Sequence, residues 1–258
     1  MKQKVYRLLI DTQEAWPFER TRIPSFKKLS DSERQQIERY YFDMDAKMAL
    51  ASILIKRHLV STALECSPNE VQISVTKAGR PYCQSAHCPP IIFDFNVSHY
   101  GGIVIVVGAW LPSDPSGMRP INIGVDIVEC KPLAFEASWM EDFMSVFTPC
   151  EWKLIKSSIS SIDVFFLLWT CKEAILKALG IGLSGNPLDI VVTFHKLNEL
   201  LNSEEVSLRR AATAVYSGYS WDLEIHKLIL HSSTFYVSVA FPQDCVIMDL
   251  NWETLNDL

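Results

Sequence analysis

The chemistry in this chain begins with a helix-length apolar run. Over residues 163–179 the only polar stripe is Thr170, Glu173 and Lys177. At about 100° per residue these three share one side of a helix. A helix that is apolar nearly all round is buried, so the stripe faces either solvent or a cleft. Glu173 and Lys177 stand four apart in the order that favours an ion pair, which an exposed helix also uses. Lys172 falls between Leu168, Leu179, Leu176 and Trp169. An ammonium there either snorkels along Trp169 to water or meets an anion.

Asp126 sits inside the apolar run of residues 121–128. A carboxylate so placed either edges the strand in water or needs a cation, a metal or several N–H donors. Asp126 with Glu173 makes an oxygen-only pair. That set suits Mg²⁺, which uses one or two carboxylates and completes its shell with water and phosphate. Ser98 and His99 lie between two apolar strands, beside Gly101 and Gly102. His99 there is either an ordinary turn histidine or a ligand contact. Lys47, Lys77 and Arg80 are candidate phosphate contacts, although scattered basic residues also decorate any surface.

Several chemistries are excluded. Gly-x-Ser-x-Gly is absent around Ser98, since position 96 is Asn and position 100 is Tyr. Adjacent residues of an extended segment point to opposite faces, so Ser98 and His99 are no dyad. Cys83, His87 and Cys88 lack zinc-site spacing, and no second pair follows. Ile175, not Lys, stands two after Glu173, which excludes a nuclease of the acid-x-Lys type.

The elements that must position these residues are legible in outline. Ser30 and Glu33 form a helix-start pair. A long helix is expected over residues 43–65, a half-buried strand over 71–75, and a turn at 78–81. Residues 91–97 and 103–110 read as two strands of a hairpin. Residues 111–120 carry three prolines and read as a linker. A strand follows at 121–128, then helical pieces over 135–155 broken near Thr148-Pro149. Gly180 and Gly182 close the helix of residues 163–179. Late strands are expected at 190–194, 221–225 and 235–241. The expectation is an α+β chain of two halves, 1–115 and 116–258.

Composition bounds the rest. The chain has 258 residues, 48% of them hydrophobic, and a net charge of −6. That is globular composition, not disorder. The acidic balance argues against nucleic-acid binding. Residues 1–7 are charged and no long apolar run follows, so no signal peptide is expected; no membrane span is expected either. Seven scattered cysteines suit free thiols and a cytoplasmic address.

Four motifs in order carry a family resemblance. They are Gly79-Arg80-Pro81-Tyr82, Asn96-Val97-Ser98-His99, Gly124-Val125-Asp126-Ile127, and Phe166-x-x-Trp169-x-x-Lys172-Glu173-Ala174-x-x-Lys177-x-x-Gly180. With Tyr40-Tyr41 and Asp45-Ala46-Lys47 they resemble the 4′-phosphopantetheinyl transferases, in particular the longer, surfactin-type monomers. The length is most similar to fungal and animal members that serve lysine metabolism. Each motif alone is weak; their shared order and spacing are specific.

The resemblance implies a pseudo-dimer of two similar α/β halves, with coenzyme A as co-substrate in the cleft between them. The N-terminal half would bind coenzyme A, and the C-terminal half would carry the metal site and the catalytic helix. It implies transfer of phosphopantetheine to a serine of an apo carrier domain, with release of adenosine 3′,5′-bisphosphate. By resemblance, Asp126 and Glu173 hold Mg²⁺, Glu173 is general base, and Lys177 steadies the phosphates. Arg80, Ser98, His99 and Lys172 contact phosphate; Lys47, Lys77, Pro81 and Asn96 belong to the coenzyme A surface; Trp169 is structural. The expected partner is the carrier domain of an aminoadipate reductase in lysine biosynthesis. The alternatives are fatty-acid, polyketide or non-ribosomal-peptide carriers, or a non-catalytic coenzyme A or carrier binder. A monomer is expected.

Departures from the family pattern have consequences. Many bacterial members place a second acid two after the metal-strand Asp, where this chain has Val128. Glu129 follows one later, on the opposite strand face, and is not expected to ligate. Ala174 replaces a serine, Arg80 replaces a lysine, and Met44 stands where some relatives have arginine.

Overall fold

The described strands form two five-stranded sheets, each with a helix on its outer face, and a separate β2–β3 pair. A computed structural model describes residues 4–17, 19, 23–83, 87–88, 91–112, 122–131, 143–243 and 250–255. The first half contains β1 (Val5–Asp11), α1 (Thr12–Ala15), α2 (Asp31–Glu38), α3 (Asp43–Leu64), β2 (Ile73–Val75), β3 (Pro81–Cys83), β4 (His87–Cys88), β5 (Ile91–Tyr100) and β6 (Ile103–Pro112). The second contains β7 (Gly124–Glu129), α4 (Pro149–Ser157), α5 (Ser161–Leu179), β8 (Val191–Phe194), α6 (Leu197–Asn202), β9 (Val206–Tyr216), β10 (Tyr219–Leu230) and β11 (Ser233–Pro242). A last short strand, β12 (Glu253–Thr254), lies near the chain end.

The sheet orders are β12-β1-β6-β5-β4 and β7-β11-β10-β9-β8. Strand parity decides which residues face where. Leu8, Ile10, Val104 and Val106 pack with α3, while Leu9, Ile105 and Val107 face the other sheet. Val125, Ile127, Val237 and Val239 meet them there. Tyr236 and Ala240 point the other way, onto α5. The layers therefore run α3, first sheet, second sheet, α5.

Most expected elements form. Ser30 and Glu33 make a reciprocal capping box. Gly180 ends α5 in the left-handed conformation. Gly101 and Gly102 both have positive φ and close the β5–β6 hairpin as a two-residue turn. Ser98 and His99 therefore lie on β5 itself, not in a loop. Thr148-Pro149 starts α4 instead of breaking a helix, because Thr148 caps it and Pro suits the first turn. Strand β9 was not expected. Its Ala211, Ala212 and Ala214 are small because the sheet approaches α5 there, and alanine carries little strand signal. Of the linker expected at 111–120, residues 111 and 112 belong to β6; its remainder, the half boundary at 115/116 and the helical pieces at 135–142 lie outside the described residues. No described helix is long and apolar enough to cross a membrane.

The chain end returns to the first sheet, since β12 pairs in parallel with β1. Beneath it, Arg7 of β1 makes a bidentate pair with Glu224 of β10 at 2.6 and 2.7 Å. His226 Nε2 lies 2.6 Å from Glu224, and Trp252 Nε1 donates to His226 Nδ1. All three charged or imidazole groups are buried. Burial alone would raise the Glu224 pKa, but hydrogen bonds from His226 and Arg7 more than reverse this and hold it below its ordinary value.

Two stability predictions follow from this packing. A Cβ on Gly124 would lie 1.8 Å from the Ala174 carbonyl oxygen. Gly124→Ala is therefore expected to push α5 off β7 and lose at least about 1–3 kcal/mol in urea unfolding. The Glu224 contribution is complete above its unfolded-state pKa and is lost as pH falls through its lower folded-state pKa. Arg7→Met, which leaves that carboxylate buried and half-paired, is expected to cost about 3–5 kcal/mol. It should also move the acid-unfolding midpoint to higher pH.

Candidate active site

Helix α5 lies on β7, and their closest approach fixes the site. Gly124 admits the α5 backbone at Ala174 and Ala178. Thr170 Oγ1 donates to the Asp126 carbonyl at 3.1 Å. The even positions of β7 face α5, as Val128 in the α5 core shows. Asp126 shares that face with Gly124 and Val128, which brings its carboxylate beneath Glu173 and Lys177. Glu129 has the opposite parity. It lies near the Gly101 turn and pairs with Lys131, away from Asp126.

Ser98 is the hub. Its Oγ donates to Asp126 Oδ1 at 3.0 Å and accepts from Lys177 Nζ at 2.7 Å and from the Ile127 N–H at 3.4 Å. One donor and two lone pairs are all used. Lys177 Nζ also pairs with Asp126 Oδ1 at 2.6 Å. Glu173 makes no hydrogen bond or ion pair among the described residues. Its pKa is raised, first by burial and then by the Asp126 charge, with Lys177 opposing. His99 stands exposed on β5, within the field of Lys177 and Asp126. Loss of hydration, then the Lys177 charge, lowers its pKa, against the pull of Asp126 and Asp45.

Ser98, His99, Asp126, Glu173 and Lys177 are thus brought together, and other expected site residues are not. Lys172 is the clearest correction. It is turned toward α4, with 1% of its surface exposed. Its Nζ pairs with Glu151 at 2.7 Å and donates to the Pro187 and Ile190 carbonyls at 2.9 Å each. Helical rotation of about 100° separates it from Glu173, so it neither snorkels nor reaches the cluster. Arg80 is also committed. It donates to Asp94 at 2.6 Å, to the Ile123 carbonyl at 2.9 Å, and to the Lys177 carbonyl. Asn96 accepts from the Val125 N–H at 3.1 Å. Lys47 donates to the Trp16 carbonyl and pairs with Asp43. Pro81 is buried at the start of β3, and Lys77 is exposed in the turn before it. Trp169 packs against Phe143 and Phe165, as a structural residue would.

Sequence reasoning missed Glu151 and Asp94. Glu151 was visible only as a helix-start residue, three after Thr148. In the fold its carboxylate also neutralises Lys172 and accepts from the Val192 N–H. Asp94 alternates with Asn96 and Ser98, a polar face on an otherwise apolar strand, and that was the available signal.

The cluster can do one kind of chemistry well. Asp126 and Glu173 are close enough to feel each other's charge, and both offer only oxygen. Such a pair fits a hard divalent cation. An unpaired carboxylate with a raised pKa also suits a general base. Beside α4 lies an apolar groove with Met144, Phe147, Trp152 and Leu188 in its walls, and Lys153 and Lys156 at its edge.

Comparison with known proteins identifies the family. Residues 15–111 match the family model described as 4′-phosphopantetheinyl transferase, N-terminal. Residues 122–224 match that of the 4′-phosphopantetheinyl transferase superfamily. A phosphopantetheinyl transferase of a Thraustochytrium species is 32% identical over 188 residues, covering 66% of this chain and 62% of that protein. The L-aminoadipate-semialdehyde dehydrogenase-phosphopantetheinyl transferase of Mus musculus is 29% identical over 166 residues, 62% of this chain and 50% of that protein. The match thus spans only half to under two thirds of these two relatives. The 4′-phosphopantetheinyl transferase Sfp of Bacillus subtilis is 30% identical over 193 residues, 72% of this chain and 74% of that protein. With Asp126, Glu173 and Lys177 gathered on β7 and α5, and with both matches side by side along its length, the chain belongs to the 4′-phosphopantetheinyl transferase superfamily.

Proposed function

We propose that this chain transfers the 4′-phosphopantetheine arm of coenzyme A to a serine of an apo carrier domain. The observation that carries the reading is the Asp126–Glu173–Lys177 cluster at the junction of β7 and α5. In the transfer, the serine oxygen forms a bond to the phosphorus bearing the pantetheine arm. The pyrophosphate P–O bond breaks, and adenosine 3′,5′-bisphosphate leaves with the bond's electrons. Glu173, unpaired and with raised pKa, takes the serine proton. Lys177, within reach of Asp126 and Ser98, neutralises charge on the departing phosphate. Ser98 and Thr170 hold Asp126 in place. Mg²⁺, when held by Asp126 and Glu173, would polarise the phosphates as a Lewis acid.

The partner is proposed as the carrier domain of an aminoadipate reductase, in lysine biosynthesis. Support comes from the relatives named for L-aminoadipate-semialdehyde dehydrogenase. The groove beside α4 suits the carrier: an apolar floor with Lys153 and Lys156 offers local positive charge on a chain of net −6. A cytoplasmic address and a monomeric state are proposed with it. The free cysteines 66, 130, 150 and 171 fit a reducing compartment.

The first test is the intact mass of an apo carrier domain after incubation with this protein, coenzyme A and Mg²⁺. A gain of one phosphopantetheine, abolished by EDTA, is expected. No gain on the aminoadipate reductase carrier or on several unrelated carriers would sink the reading. Gain on every carrier alike would remove the dedicated partner and leave the transfer. Glu173→Gln should keep the melting temperature and lose about 10²–10⁴-fold in kcat; an indifferent variant would favour a non-catalytic binder. Lys153→Glu with Lys156→Glu should raise KM for the carrier and leave KM for coenzyme A unchanged.

A further inference from the structure

We propose that Asp94 is a positioning residue of the transfer site, acting through Arg80; this rests on the function proposed above. Asp94 makes no hydrogen bond with the side chains of Asp126, Glu173 or Lys177 among the described residues. It is nonetheless buried, and its Oδ2 has two partners. The Ile123 N–H donates to it at 2.7 Å, and Arg80 Nη2 at 2.6 Å. The same Arg80 nitrogen donates to the Ile123 carbonyl at 2.9 Å. The Asp94–Arg80 pair therefore satisfies both backbone polar groups of Ile123, the residue just before β7, as a neighbouring strand would.

The other end of the guanidinium reaches α5. Arg80 Nη1 donates to the Lys177 carbonyl, in the last turn of the helix, which also accepts the Gly180 N–H at 3.1 Å. Ile123 is three residues before Asp126, and Lys177 is one helical turn after Glu173. One planar fork thus ties the strand that carries one carboxylate to the helix that carries the other. Asp94 aims that fork. Gly180, whose notional Cβ would meet the Arg80 side chain at 3.2 Å, leaves the space it needs.

A lysine at position 80 keeps the charge but cannot reach three acceptors in a plane. That separates positioning from phosphate contact. A residue that only contacts phosphate changes KM for coenzyme A, and a lysine rescues it. A residue that sets the spacing of Asp126 and Glu173 changes kcat, and a lysine does not rescue it.

The test uses the full chain with Asp94→Asn, Arg80→Lys and both together. Steady-state kinetics are read beside hydrogen exchange of residues 122–127 and 174–180, measured without coenzyme A. Each single variant is expected to lower kcat about ten- to a hundredfold. KM for coenzyme A should stay within about twofold. Both segments should exchange faster, and the double variant should be no worse than the worse single one. Unchanged exchange, an effect confined to KM, or additive losses in kcat would each overturn the proposal. Should Asp94→Asn fail to fold, Arg80→Lys carries the same comparison. If the unsubstituted chain transfers to no carrier, the proposed function fails, and the exchange data still decide whether Asp94 holds β7 to α5.

Discussion

At the centre of this molecule the edge strand β7 meets the stretch of β5 beyond its pairing with β4, without a shared backbone ladder, and everything at the site depends on how the two are joined. Strand β7 pairs with β11 on one side. On its other side the N–H groups of Ile123, Val125 and Ile127 would be orphans, costly to bury. Asp94, Asn96 and Ser98 of β5 accept them in turn, at a constant offset along both strands. Side chains thus do the work of a strand. This closes two edges that would otherwise be open to pairing with another chain. It also fixes the register of the halves, because a slip of one residue would turn all three acceptors away.

That register explains the site's composition. Only the last acceptor, Ser98, is short enough to leave its hydroxyl proton free for Asp126 and its second lone pair for Lys177. The first, Asp94, needs a cation, and Arg80 supplies one without exposing it. The site is therefore built from both halves, although its carboxylates come from one. The seam is polar, as is the Arg7–Glu224–His226 cluster that joins β1 to β10, whereas the contact from Leu9 to Val239 is apolar. A polar seam of fully partnered groups specifies one arrangement, which an oily contact of β-branched side chains would leave looser.

The sequence showed α5, its stripe, the β5–β6 hairpin and Asp126 in an apolar strand, because each is written in local periodicity. It did not show which neighbour a given face meets. A helical wheel places Lys172 in the apolar arc but says nothing of Glu151, twenty-one residues earlier and on another helix. The pairing of the two depends on how α4 packs. Arg80 read as a candidate phosphate contact for the same reason: its three acceptors come from β5, the residue before β7, and α5, which only the tertiary fold assembles. Strand β9 was hidden by its alanines, which are there for α5 and not for the strand. Gly124 was quoted within a motif, yet its use, admitting the backbone of α5, is visible only once the helix is in place.

The charge balance follows from these same pairings. Lys172 is neutralised by Glu151 and Arg80 by Asp94, so neither adds net charge toward a substrate. Within the cluster, Asp126 and Glu173 face Lys177, two carboxylates against one ammonium. A pyrophosphate brought to such a cluster meets net repulsion, and burial strengthens it. The Glu173 pKa is raised first by burial, and the Asp126 charge, which adds to that rise, is the same repulsion seen without substrate. A divalent cation between the carboxylates would reverse the sign and free Lys177 to meet phosphate instead of Asp126. On the proposed function, a cation held by Asp126 and Glu173 would offset that repulsion, since Lys172 and Arg80 are committed to the contacts among α4, α5 and the start of β7.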